Sequence, residues 1–387
     1  MKLVSAGSIL LLVVNACFAT DDFKLSQQCP PSFEKLSDGT CELRSLYEFY
    51  NSPPGFGGLR IPLPEHQGGY TPQQIDLGRY LFFDPVLSGD SSQSCASCHQ
   101  PGRSFSDGLA RSIGAEGREL ERAAPSLWNV GFLQSLFWDG RAKTLEEQVK
   151  GPLFSAHEMN NTREKLESTL NSIEAYSLMF SEAFPGKTDI TVSEVTQALS
   201  AFQSSLISLN SRYDRYAHGD ESALTEQEQV GHTVFRSFAA RCSQCHTPPL
   251  FTNQQLAVTA APEPKGKEFD VGAEKVLGIA QMRGAFKVPS LRNINLTAPY
   301  MHSGAFKDLQ SVISFYNDER GHAVKGQDLQ LHWHLVNPKL SKADEQALLA
   351  FLLTLDDETN KPKVPVAVPS ALSVLQASPN YTAHNIN

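Results

Sequence analysis

The run Cys95-Ala96-Ser97-Cys98-His99 and its echo Cys242-Ser243-Gln244-Cys245-His246 constrain this chain more than any other feature. A C-x-x-C-H run marks covalent c-type haem attachment. Two thiols three residues apart add to the haem vinyl groups, and the adjacent histidine falls under the iron as its axial ligand. The competing readings are a disulfide, a redox dithiol and a zinc site. A thioredoxin-like dithiol follows a strand and needs no histidine, and a zinc site made of both pairs needs roughly 15–20 residues between them. Two such runs predict two covalently bound haem c groups, held by Cys95, Cys98, Cys242 and Cys245, with His99 and His246 on the irons.

A chain of 387 residues with 19% charged and 41% hydrophobic residues is long enough for two domains with ordinary cores. Its formal net charge of −9 argues against a nucleic-acid partner. Residues 1–19 carry one Lys, the apolar run Ile9–Val14 and then small residues. That reads as a signal peptide, because the run is shorter than the roughly 18 apolar residues of a membrane span. Haem attachment through C-x-x-C-H is periplasmic work and agrees with export. Two processing readings stand: plain cleavage near Ala19, or a lipoprotein box at Val14-Asn15-Ala16-Cys17 that leaves a lipid anchor on Cys17 and an outer-membrane or cell-surface location. Of seven cysteines, Cys29 and Cys41 remain outside the haem runs and the leader. In an oxidising compartment they are expected to form a disulfide around the turn Ser37-Asp38-Gly39.

The expected fold is mostly α, with two cytochrome c-like haem domains whose haems face a shared interface. Residues 20–70 are rich in Pro and Gly and read as an irregular extension tied down by the disulfide. At 71 a helix opens with Thr71 as N-cap, Pro72 at the first position and Gln74 completing a capping box. Thr225 and Glu228 repeat that start ahead of Cys242. The repeat places a first haem domain at 71–220 and a second at 221–360. Between the haem runs, Glu164–Phe184 and Val192–Leu209 have helical spacing, and Ser341 opens a closing helix through Leu355. The segment 361–387 reads as a tail wrapped on the surface.

An iron with two strong protein ligands passes electrons, whereas one with an open position binds a small molecule. From Gln100 to Ala156 there is no His and no Met, and the nearest candidates for a sixth ligand, His157 and Met159, flank Glu158. The first haem is therefore expected to keep its sixth position free.

Three strings carry a family resemblance: Phe137-Trp138-Asp139-Gly140-Arg141, Gly151-Pro152 leading to Glu158, and Pro289-Ser290-Leu291-Arg292-Asn293 running on to Pro299-Tyr300-Met301-His302. With the haem runs, they resemble the bacterial dihaem cytochrome c peroxidase and MauG superfamily over roughly residues 71–357. The resemblance implies that Trp138 lies between the haems, that Glu158 is the distal acid, and that Gln148 and Pro152 belong to the same pocket. The plainer alternatives are a solvated acid for Glu158 and core packing for Trp138. In the peroxidases a Met fourteen residues after the His of the P-Y-x-H string closes the second iron. Counting fourteen from His302 reaches Tyr316, as in MauG-like members. The alternative is a core Tyr316 with Met282 or Met301 as the ligand.

What the resemblance implies is a peroxide-dependent oxidoreductase. Hydrogen peroxide reacts at the His99 haem, its oxidising equivalents spread through Trp138 to the His246/Tyr316 haem as a two-ferryl state, and a side chain on a partner protein is oxidised at a distance. The extension Cys29-Pro30-Pro31 to Thr40-Cys41-Glu42-Leu43-Arg44 also resembles methanobactin-associated dihaem proteins, which implies conversion of a Trp on a copper-binding partner to kynurenine. Two rivals stand: a peroxidase draining electrons from a small cytochrome c or cupredoxin, and an electron-transfer cytochrome with two closed haems. The family often binds calcium through two backbone carbonyls, here those of Thr297 and Pro299, and an Asn side chain whose place is taken by Ala123. His302 is expected to be structural or to meet a haem carboxylate, and His332 and His334, flanking Trp333, to be exposed or satisfied histidines and not metal ligands.

Overall fold

The computed structural model describes residues 23–45, 63–318, 322–357 and 359–374. The leader at 1–19 and Cys17 lie outside the described residues, and no described helix is long and apolar enough to cross a membrane.

Two crossed helix pairs organise the molecule. In the first half α1 (Pro72–Phe83) packs on α6 (Val192–Ser204); in the second, α8 (Glu226–Arg236) packs on α12 (Lys342–Leu352). Both leading helices start on the capping boxes expected from Thr71/Gln74 and Thr225/Glu228. Each pair crosses at a glycine. A Cβ on Gly78 would lie 1.8 Å from the Ala198 carbonyl oxygen, and one on Gly231 would lie 1.9 Å from that of Ala347. Helix backbones meet there with no room for a side chain, so close packing of these cores depends on the missing methyl. Gly78→Ala and Gly231→Ala should each destabilise the fold by about 1–3 kcal/mol or more, measured as a fall in urea midpoint. A wild-type midpoint in either variant would show that the crossing opens without cost.

The short helices α2 (Cys95–Cys98) and α9 (Cys242–Cys245) carry the cysteine pairs. The stretch 164–184 is not one helix: it breaks into α4 (Arg163–Asn171) and α5 (Glu174–Ala183). The side chain of Asn171 explains the break, because it bonds back to Glu167 O and across to the backbone of Ile190. After α6 the chain enters α7 (Arg212–Ala217), whose Tyr213 already packs in the second core with Phe235, Phe251 and Phe351. A division at 220/221 therefore falls after an element that serves the second half. The remaining helices are α3 (Leu145–Phe154), α10 (Glu274–Leu277) and α11 (Leu309–Tyr316).

Strands are few. β1 (Phe33–Lys35) pairs antiparallel with β2 (Cys41–Leu43), closed by the Cys29–Cys41 disulfide at a Cα separation of 5.7 Å. β3 (Leu256–Val258) pairs with β4 (Ala285–Lys287). The closing segment differs from a surface wrap. Val368 is 1% exposed within the first core, Ser370 bonds to Asp84, and the Lys363 carbonyl accepts from Arg79. An apolar residue between prolines gave no periodicity by which this docking could be read; residues 375–387 lie outside the described set.

Candidate functional site

The site is built twice, from matching parts. In each half the histidine caps the one-turn cysteine helix, and its backbone N–H bonds to the carbonyl of the first cysteine. His99 Nδ1 donates to the Phe105 carbonyl at 2.8 Å. His246 Nδ1 lies 3.1 Å from the carbonyls of both Phe251 and Pro289. A carbonyl can only accept, so Nδ1 carries the proton and Nε2 keeps its lone pair for a metal. Burial holds both imidazoles neutral, with His246 lowered to about 4. Burial also pushes the Cys95, Cys98 and Cys242 thiols up to about 12, the opposite of a reactive thiolate, and neither pair forms a disulfide.

The orienting carbonyls were missed in the sequence. The signal was an unexploited repeat, Pro125-Ser126-Leu127-Trp128-Asn129 against Pro289-Ser290-Leu291-Arg292-Asn293. Both asparagines adopt left-handed backbone, as do Phe105 and Phe251. These asparagines join the halves through buried side chains. Asn129 exchanges bonds with the backbone of Ser208, whose hydroxyl donates to Asn293 Oδ1 at 2.6 Å, while Asn293 Nδ2 reaches Ser104 beside Phe105.

A second pair of matching segments meets between the halves. Trp138 and His302 each stand six residues before a helix cap, Thr144 of α3 and Asp308 of α11. Their rings make a T-shaped contact at 6.4 Å. Each is fixed by the opposite repeat: Lys287 N–H donates to the Trp138 carbonyl at 2.7 Å and Ala123 N–H to the His302 carbonyl at 2.8 Å. Trp138 Nε1 donates to Ala123 O at 2.9 Å. His302 Nε2 bonds to Glu263, which also takes Arg111, and the imidazole stacks on Phe286 at 3.7 Å. Arg122 closes the seam by binding Asp139 and Asp270. Buried Ser303 donates to Pro262 O, so an Asp at this position would bury a charge against a carbonyl.

The same register relates the two helices that follow, α3 and α11. Eight residues after their caps, α3 carries Pro152 and α11 carries Tyr316. Proline offers no ligand atom; a phenol does. The Tyr316 ring meets those of Phe315 at 5.2 Å and His322 at 5.8 Å, its phenol lies within electrostatic reach of Cys242 and Cys245, and burial raises that phenol well above the ordinary value. Glu158 follows α3, its N–H bonded to Ser155 O and its carbonyl taken by Ala115. Burial raises its carboxyl above the ordinary range against opposition from Arg141, Ser155 and His157. Of the other candidates near the first histidine, His157 is bonded to Arg118 and Met159 packs in the core at 6% exposure. Gln148 is half-buried on α3, and Gly151 leaves room there for the ring of Phe137.

The donor set suits haem. Buried polar atoms without partners gather by the first run (Asp107 Oδ2, Arg111 Nε, Ser112 Oγ, Trp128 Nε1), and burial lowers the Lys287 ammonium between the halves to about 8. The donors among them, Arg111 Nε, Ser112 Oγ, Trp128 Nε1 and the Lys287 ammonium, match a large apolar ring with anionic edges. For calcium the fit is poor. Ala123 has no side-chain oxygen and its carbonyl is occupied by Trp138 Nε1, which leaves only the carbonyls of Thr297 and Pro299 from the expected set.

A family profile described as di-haem cytochrome c peroxidase matches residues 72–222. The methylamine utilization protein MauG of Methylophilus methylotrophus is 37% identical over 76% of this chain and 86% of its own length. The chain belongs to the dihaem cytochrome c peroxidase and MauG family. Its relatives include the cytochrome c551 peroxidase of Nitrosomonas europaea, 33% identical over 78% of this chain and 86% of that protein. A crystal structure of a MauG-like protein associated with microbial copper homeostasis superposes with a TM-score of 0.69 at 33% identity, covering 80% of this chain and 95% of that one. As a family member the chain is a peroxide-dependent oxidoreductase with two c-type haems and a mostly helical fold of two cytochrome c-like domains.

Proposed function

We propose that this family member works as a MauG-type enzyme in the periplasm, using hydrogen peroxide at the His99 site to oxidise a Trp side chain, to kynurenine, on a partner protein that binds copper. The observation that carries the reading is the contrast at one helical position, Pro152 on α3, the helix that leads to Glu158, against Tyr316 at the matching position of α11. A side chain without a donor leaves the first position to peroxide, and an oxygen ligand at the second favours the more oxidised iron over the reduced one. When bound, the haems supply the irons that take up the two oxidising equivalents of peroxide.

The chain's own residues do the rest. Glu158 takes a proton from the inner peroxide oxygen and delivers it to the outer one, so that water leaves. Trp138 and His302, fixed in contact by reciprocal backbone bonds, give an electron a short route between the halves. A macromolecular substrate then needs no access to the peroxide pocket.

Peroxide added to the fully oxidised protein, without prior reduction, should yield a near-infrared and Mössbauer signature of oxidising equivalents shared by both sites. Tyr316→His should abolish that signature while mass spectrometry still finds both haems attached. If peroxide reacts only after pre-reduction, the reading falls to a peroxidase fed by a small cytochrome c or cupredoxin. A fully active Tyr316→His would remove Tyr316 from the second iron.

A further inference from the structure

The peroxide chemistry proposed above depends on one helix, α3, which carries Gln148 and Pro152 and leads into Glu158. The loop with Glu158 is keyed to the last turns of that helix. Ser155 N–H bonds to Gly151 O at 2.9 Å, Met159 N–H to Pro152 O at 3.1 Å and Asn161 N–H to Leu153 O at 3.1 Å. The helix has ten residues and is roughly 15 Å long. A close-packed interior transmits displacement, so whatever sets the start of α3 also sets the carboxyl beyond its end.

That start is held by a segment 78 residues back along the chain. Leu145 N–H, one of the first-turn donors that a helix leaves without an internal partner, bonds to Gln67 Oε1 at 3.2 Å. Gln67 also ties down the approach to α3: its backbone N–H bonds to Gly131 O at 2.7 Å and its Nε2 to Leu133 O at 2.8 Å. Three residues on, the hydroxyl of buried Tyr70 donates to Glu146 Oε1 at 2.8 Å. Gly69 makes the turn between them in left-handed backbone at φ +83°. Tyr70 is gripped in turn by the disulfide-closed hairpin. Cys41 N–H bonds to its carbonyl at 2.8 Å, and Phe33 and Cys41 share an apolar cluster with Tyr70, Phe132 and Ala201. Gln67, Tyr70 and the hairpin all lie ahead of the stretch 72–222 that the family profile matches.

We propose that Gln67 and Tyr70 are positioning residues for the peroxide pocket: clamped by the Cys29–Cys41 hairpin, they fix the first turn of α3 and thereby place Glu158 for proton transfer. The proposal rests on the role given to Glu158 above and assigns a part to an extension that supplies none of the reacting groups. The two bonds fall on consecutive residues, Leu145 and Glu146, which point about 100° apart around the helix axis. Together they set the rotation of α3 as well as its height. The Glu146 carboxylate also suits the positive end of the helix dipole, and the Tyr70 hydroxyl holds it there. Misplacing a reacting group by about 1 Å costs about 10²-fold in rate, so a small shift of α3 has a large kinetic effect.

The test uses the diferric holoprotein. Tyr70→Phe combined with Gln67→Leu should lower kcat/KM for hydrogen peroxide by about 10–100-fold. Gln67→Glu, which keeps the acceptor for Leu145 N–H, should lose less than Gln67→Leu. Hydrogen exchange followed by mass spectrometry should run several-fold faster over residues 145–148 in the double variant and in Cys29→Ser/Cys41→Ser, with wild-type rates in α8 and α12. On a Glu158→Gln background the Tyr70/Gln67 pair should cost nothing further in kcat/KM, because both act through one carboxyl. Losses that multiply in full with that of Glu158→Gln overturn the positioning role, as does unchanged exchange at the start of α3 or a wild-type kcat/KM in the double variant. A Glu158→Gln protein with wild-type kcat/KM would overturn instead the proton transfer proposed above, while exchange in α3 still reports on the clamp.

Discussion

Glu158→Gln should lower kcat/KM for hydrogen peroxide by about 10²–10⁴-fold, the usual contribution of one positioned proton-transfer group. The substitution keeps size and hydrogen bonding but removes the ability to take up and return a proton. The backbone around Glu158 is held independently by Ser155 O and Ala115 N–H, so the loss should be chemical and not conformational. The pH profile carries a second signature. The carboxylate form accepts the peroxide proton, and burial raises its pKa, so kcat/KM should climb with pH through an apparent value above the ordinary glutamate figure of 4.5. Arg141 is the largest influence opposing that rise. Arg141→Met should therefore move the acid limb to higher pH, and Glu158→Gln should erase it. Steady-state kcat/KM across about pH 4–7 decides the matter; an unchanged acid limb in Glu158→Gln places the base elsewhere.

Arg292→Met should cost about 3–5 kcal/mol of stability, because it strands a buried carboxylate. Arg292 is 2% exposed, and its guanidinium holds Asp214 of α7 through both terminal nitrogens, at 2.5 and 2.7 Å. It also bonds twice to the Pro249 carbonyl, in the loop that turns back to present the Phe251 carbonyl to His246. Stability and the orientation of the second histidine are thus joined in one side chain. Urea unfolding should show the loss. Electron paramagnetic resonance should show altered geometry at the second haem and an unchanged first haem. The double variant with Asp214→Asn should be less damaged than Arg292→Met alone, since the stranded charge is then gone. Strict additivity would mean that the pair is not coupled.

The parts of this protein that could be read along the chain are those whose physics is local. Cys95 to His99 and Cys242 to His246 specify covalent attachment within five residues, and Thr71/Gln74 and Thr225/Glu228 fix helix starts within one turn. The Cys29–Cys41 closure spans twelve residues and needed only their number and spacing. Reading failed where a distant partner decided the outcome. Glu164–Phe184 has unbroken helical spacing, yet Asn171 finds Ile190 and the helix ends. Val368 sits among prolines with no pattern around it, yet a gap in the first core takes it in.

By itself the sequence determined two haem runs, the family to which the chain belongs, and the exchange of Pro152 for Tyr316 at one register of two related helices. Only the tertiary structure decided that Phe105, Phe251 and Pro289 aim the histidines and that Trp138 meets His302. The physical reason is separation along the chain. Bond-forming chemistry and caps are complete within a turn, whereas a carbonyl's direction or a ring's neighbour is fixed by segments that packing brings together.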